Sequence, residues 1–308
     1  MGAGAALVAD DAAGRTAWVL GDGPGDRSLG PALVWADRRG ITELHLLVDD
    51  DPGVVARQAG LFAPAPAVWT ISGTSVEPAS PDPLPPPTAP VAPADLVDLL
   101  IDAGVEIVVE DGVLRGEVNG LEVARVVAGE TTAGVPLDRP LLEVGVGKAD
   151  RELTAMVHGE LSPVDQLARV VGIVRDHRRA GAARHPLNQL VPDRWLRAVL
   201  CRHPGLVGLA SLRPAEGPRP RRNLTERGAA VAVGADARGA PVVVASSVGI
   251  AADLVPGAAD ARAALDPGAR LVLAVPERDD HPSTRRLAAR LADPADVVPV
   301  PGDWRAAG

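Results

Sequence analysis

A chain of 308 residues is too long for one ordinary core and suits two, at roughly 100–200 residues per domain. Apolar residues make up 46%, in runs broken by Gly, Pro and Asp well short of the ~18 residues that a membrane span needs, so no transmembrane helix is expected. The net charge of −9 argues against a protein that coats nucleic acid over its whole surface.

The first ten residues have no basic stretch and meet acid at Asp10, unlike a secretory signal, and the single cysteine, Cys201, cannot form an internal disulfide. The expected compartment is the cytoplasm. Residues 1–77 read β-α-β-α-β: a strand Arg15 to Leu20, a helix Leu29 to Arg39, a buried strand Leu44 to Val48, a helix Val54 to Phe62 and a strand Ala67 to Ile71. Alternation of this length predicts a parallel sheet covered by helices. Residues 78–93 hold eight prolines and read as a polyproline-like spacer.

Residues 94–160 predict a helix from Ala94 to Ala103, a strand Val105 to Val109, a tight hairpin at Asn119-Gly120 and a strand Leu141 to Val146. Residues 161–204 read as helical. Ser162-Pro163 supplies a cap and a first-turn proline, Val164, Leu167, Val170, Val171 and Val174 form an apolar stripe, and a second helix lies around Arg194 to Leu200. Residues 205–228 read as a linker. From 229 to 308 the pattern is β-β-α-β-α-β, and no repeat of solenoid period is present. The expectation is an α/β protein of two α/β modules joined by a helical, arginine-rich middle.

Charge is unevenly spread. Between Arg169 and Arg227 stand thirteen arginines against four acids, a local +9 that leaves −18 for the remainder. Lys148 is the only lysine among 31 basic residues, so some of these arginines simply replace lysine. An exposed face of Arg169, Arg175, Arg178, Arg179, Arg194 and Arg197 would contact phosphates of DNA or RNA. The alternative is that these arginines dock on the acidic modules or on an acidic protein partner. With Phe62 and five tryptophans as the whole aromatic stock, base stacking has little to draw on.

Catalytic candidates are sparse. Glu122 and Glu143 lie on strands with Lys148 close behind, a weak metal-dependent set; Asp236 and Asp253 are further weak ligands. Glu143 and Lys148 are five apart, so they share a strand face only if Gly145 or Gly147 breaks the strand. Ser247 sits in Ala245-Ser-Ser-Val-Gly249, a loose nucleophile elbow whose relay would have to come from Asp279 or Asp280 and His281. Gly21-Asp-Gly-Pro-Gly-Asp26 misses the phosphate-loop register and places Asp22 and Asp26 where they repel phosphate. His177, His185 and His203 fit no zinc spacing.

The order of elements over residues 224–303 resembles the core of the PD-(D/E)XK nuclease superfamily. That resemblance implies a restriction-endonuclease-like fold and a magnesium site made by an acid and a Glu-x-Lys triplet. The triplet's place holds Ala245-Ser246-Ser247, so the resemblance implies a degenerate, inactive copy with no cofactor; magnesium enters only if a nuclease survives elsewhere. Arg221-Arg-Asn-Leu-Thr-Glu226, Ser247-Val-Gly-Ile-Ala-Ala-Asp-Leu-Val-Pro256 and His185-Pro-Leu-Asn188 are similar to phrases in a group of uncharacterised high-GC bacterial proteins, which implies no activity. The expected function is nucleic-acid association through the arginine face, with a non-enzymatic scaffold, a metal-dependent nuclease and a serine hydrolase as alternatives.

Overall fold

The computed structural model describes residues 5–11, 14–21, 24, 27–157, 162–219 and 228–307, which form eight α-helices and fourteen strands in three sheets. No helix among them is long and apolar enough to cross a membrane.

The N-terminal sheet has the order β1 (Ala6–Asp11), β2 (Gly14–Leu20), β3 (Glu43–Val48), β4 (Ala67–Ser72), β5 (Ser75–Pro78). β2, β3 and β4 are parallel and in sequence order, so right-handed crossovers place α1 (Leu29–Arg38) and α2 (Pro52–Ala59) on one face. Leu29, Ala32, Leu33 and Ala36 recur at helical spacing and bury against Ala17, Val19, Leu44 and Leu46 of the strands. β1 makes the module begin β-β-α rather than β-α, because Leu7 pairs with Trp18 in an antiparallel hairpin.

The C-terminal sheet runs β10 (Ser211–Pro214), β11 (Ala230–Ala235), β12 (Pro241–Ser246), β13 (Arg270–Pro276), β14 (Asp296–Val300), with α7 (Leu254–Leu265) and α8 (Pro282–Ala289) as crossovers. β10 falls inside the expected linker: its Pro214 ends an edge strand, where a missing N–H breaks no ladder. Residues 220–227, which include Arg221, Arg222 and Arg227, lie outside the described residues.

The two modules share one connectivity, an antiparallel pair followed by two parallel crossovers. Leu44-His-Leu-Leu-Val48 takes the place of Leu271-Val-Leu-Ala-Val275, and α1 and α2 pack on α7 and α8 in a single core. The joint is reciprocal. Ala63 N–H donates to Arg290 O (2.9 Å) while Ala292 N–H donates to Leu61 O (2.9 Å), and Arg57–Asp260 is matched by Arg286–Asp37. This is a pseudo-two-fold interface of the kind identical subunits form, made within one chain. Gly30 allows α1 to approach the backbone at Ala252 and Asp253, which any Cβ would strike.

The middle holds α3 (Ala94–Asp102), an antiparallel sheet β6 (Glu106–Glu110), β7 (Val113–Val118), β8 (Leu121–Val127), β9 (Leu141–Val144), then α4 (Gly147–Val157), α5 (Pro163–His177) and α6 (Pro192–Arg202). Asn119 (φ 48°) and Gly120 (φ 73°) make the tight turn between β7 and β8, both in the left-handed region that this turn demands. Ser162 caps α5 by accepting from Asp165 N–H, and Leu167, Val171 and Val174 bury on β7, β8 and β9. The proline-rich segment is extended and lies along α2: Asp82 N–H bonds Gly53 O (3.0 Å), and Arg57 donates to Asp82 O and Pro83 O.

Candidate functional site

The arginines expected on one phosphate face divide into two sets. Arg178, Arg194 and Arg197 are buried, at 0%, 2% and 4% exposure. Glu117 accepts from Arg194 Nη1 (3.1 Å) and Arg197 Nη2 (2.6 Å), and Arg194 also pairs with Glu110. The cause is the position of α6. Its apolar residues Trp195, Leu196, Val199 and Leu200 cover the C-terminal sheet, and Arg194 and Arg197 meet the carboxylates of β6 and β7, so the helix is buried on every side from Asp193 to Leu200. Arg202 likewise meets Glu106 (2.9 Å).

Arg178 works as a buried clamp. Nε and Nη2 donate to Asn119 O (3.1 and 2.7 Å), Nη1 donates to Leu187 O and Leu190 O (2.7 and 2.8 Å), and the guanidinium lies 4.5 Å over the Trp195 ring. Burial lowers its pKa to about 9, which leaves it protonated at neutral pH. Arg169, Arg175 and Arg179 remain on the surface of α5 and just past its end; Arg175 donates to Ala103 O and Gly104 O, and Arg179 to Asp176 O.

The catalytic candidates are engaged elsewhere. Glu122 accepts from Arg115 (2.8 Å), Arg125 (2.6 Å) and Arg151 (3.0 Å). Burial pushes its pKa up, but the three guanidinium groups outweigh this and hold it below the ordinary carboxylate value. Arg151 also approaches Glu143 (3.7 Å), which accepts from the Thr132 hydroxyl, so a guanidinium stands where a metal site would need its cation. Lys148 is 70% exposed beside Glu152, on α4 rather than on the strand of Glu143. Asp236 closes a hairpin by accepting from Arg238 and Ala240 N–H, and Asp253 sits at the N-cap of α7. No group of three or more His, Cys, Asp or Glu able to hold a metal ion occurs among the described residues.

Ser247 is 3% exposed, and its N–H bonds Ala274 O. Asp279 accepts from Gly249 N–H, Asp280 pairs with Arg285, and His281 Nδ1 accepts from Ser283 N–H at the start of α8, so no relay forms behind the serine. His177 and His185 stack at 3.8 Å, and His203 ends α6. Asp22 and Asp26 lie outside the described residues. Burial pushes the Cys201 thiol up to about 11, which makes it a poor nucleophile.

A cleft of about 130 Å³ lies between the middle sheet and the C-terminal module. Arg27, Arg194, Arg197 and Arg219 line it together with Glu110, Glu216 and Asp253. Burial raises the pKa of Glu216, which accepts from Asp111 N–H, and nearby Asp111 and Glu110 raise it further. Charges of both signs line this cleft, so it does not focus one sign of potential.

The most distinctive surface is one that the sequence reading passed over: the outer face of the N-terminal sheet. Trp18 stacks on His45 at 4.0 Å and 5°, and Trp69 leans over both. Trp69 Nε1–H donates to His45 Nδ1 (3.1 Å), so the imidazole hydrogen sits on Nε2 and points to Glu43 Oε1 (3.2 Å). Around this cluster Leu7, Val76 and Leu20 are 68%, 45% and 43% exposed. The equivalent C-terminal positions are Val244, Val272 and Val298, and α6 and Trp304 cover them.

The signal was present in the strands. Leu44-His-Leu-Leu-Val48 and Ala67-Val-Trp-Thr-Ile71 are each apolar at four of five positions, as in parallel strands covered on both faces. Only one face is covered by the described residues. Comparison of the chain with protein-family models, curated proteins and solved structures gives no match.

Proposed function

We propose that the chain is a non-enzymatic docking protein, a scaffold or regulator that holds a partner protein on the outer face of its N-terminal sheet. The observation that carries this reading is the contrast between two equivalent faces. The C-terminal one lies under α6, whereas its counterpart leaves Leu7, Leu20 and Val76 exposed and Trp18 and Trp69 half-buried. The test is capture from a lysate of the source organism, before and after nuclease treatment, with the wild-type chain and with Leu7→Glu/Val76→Glu. A specific protein should be retained through nuclease treatment and lost with the double variant. Identical captures by both chains would remove the reading.

A second reading, nucleic-acid association beside a degenerate nuclease-like C-terminal module, draws support from Arg169, Arg175 and Arg179 on the surface of α5. On this reading, changing all three to alanine weakens duplex binding in a low-salt gel shift and flattens its salt dependence by about three counterions. Arg178 is not a valid probe, since its loss would disturb the fold. Absence of a shift by the wild-type chain would eliminate this alternative.

A further inference from the structure

Given the docking reading above, we infer that the partner element seated on the N-terminal sheet is a basic amphipathic α-helix of about three turns. The chain contains its own precedent. In the C-terminal module the equivalent face is covered by α6, an 11-residue helix that turns Trp195, Leu196, Val199 and Leu200 to the sheet and arginines away from it. Leu7, Trp18, Leu20, Trp69, Ile71 and Val76 offer the uncovered face a comparable apolar floor.

Size points the same way. Five strands about 4.8 Å apart and about 20 Å long give a footprint of about 400 Å². A three-turn helix, about 16 Å long and 10 Å wide, lies across it. A stable subunit interface takes about 800 Å² from each partner, twice what this face provides.

Charge selects the sign. The described outward positions of β1 to β5 carry one carboxylate, Glu43, whose side chain is 64% exposed, and no arginine or lysine. A second copy packed face to face would bring another Glu43 and no arginine or lysine, burying like charges together. A helix with arginine or lysine on its flank would pair with Glu43.

The experiment uses the full-length chain and a fluorescein-labelled peptide of residues 191–204 carrying Cys201→Ser, read by fluorescence anisotropy. The wild-type chain should bind it saturably. Leu7→Glu/Val76→Glu, two exposed positions whose change spares the core, should weaken binding by about tenfold or more, as should Arg194→Glu/Arg197→Glu/Arg202→Glu in the peptide. Four results would overturn the inference: no saturable binding; binding untouched by the double variant, which would mean exchange with the chain's own α6; equal binding of the charge-reversed peptide; or a dimer in light scattering that the double variant makes monomeric. If the peptide fails while lysate capture still depends on Leu7 and Val76, the docking reading stands and the helix inference falls.

Discussion

Replacing Glu117 by alanine should destabilise the fold by about 3–5 kcal/mol, the usual cost of stranding a buried charge. Glu117 is 1% exposed and is the shared acceptor of Arg194 and Arg197, themselves 2% and 4% exposed. Its removal leaves Arg197 without its carboxylate and Arg194 with Glu110 alone. Against a total stability of about 5–15 kcal/mol, this is enough to move the urea midpoint far down. The loss should be local first, with hydrogen exchange quickening in α6 and β7 before the N-terminal module. A change under about 1 kcal/mol would mean that water reaches these guanidinium groups and that α6 is not the closed joint described above.

Asp260→Ala should cost about 3–5 kcal/mol, and its pseudo-symmetric counterpart Asp37→Ala about 0–1 kcal/mol. The two ion pairs occupy related places in the joint between modules, yet their surroundings differ. Arg57 and Asp260 are 13% and 2% exposed, with Nε and Nη2 both on the carboxylate at 2.8 and 3.0 Å; Arg286 and Asp37 are 49% and 20% exposed. Solvent screens the second pair and not the first. Parallel denaturation of the two variants is the check, and equal losses would show that burial does not govern the strength of this joint.

Much of the architecture was legible in the chain, because it rests on local pattern. The helix capped at Ser162 with Pro163 in its first turn, the Asn119-Gly120 turn and the alternation of strands and helices all appear where spacing places them, while the helix expected from Val54 begins two residues earlier, at Pro52. The internal pseudo-symmetry left only faint traces: Leu29-Gly-Pro31 against Leu254-Val-Pro256, and Leu44-His-Leu-Leu-Val48 against Leu271-Val-Leu-Ala-Val275. These were passed over because β1 was not counted as a strand, so the N-terminal module was read as β-α-β-α-β against a C-terminal β-β-α-β-α-β. β10 was missed because four residues ending in proline resemble a linker until a neighbouring edge takes them up.

The candidate site was less legible. Trp18, His45 and Trp69 lie far apart in sequence and become a cluster only when β2, β3 and β4 align. The arginine excess of the middle was legible as composition but not as exposure, because the same guanidinium group can face water or a carboxylate. Sequence alone determined the class of the fold, the order of its elements and its uneven charge, since these follow from periodicity and residue type. Tertiary structure decided which arginines are neutralised and which sheet face is left open, because burial depends on what packs opposite a residue, and that neighbour is set by contacts between segments distant in the chain.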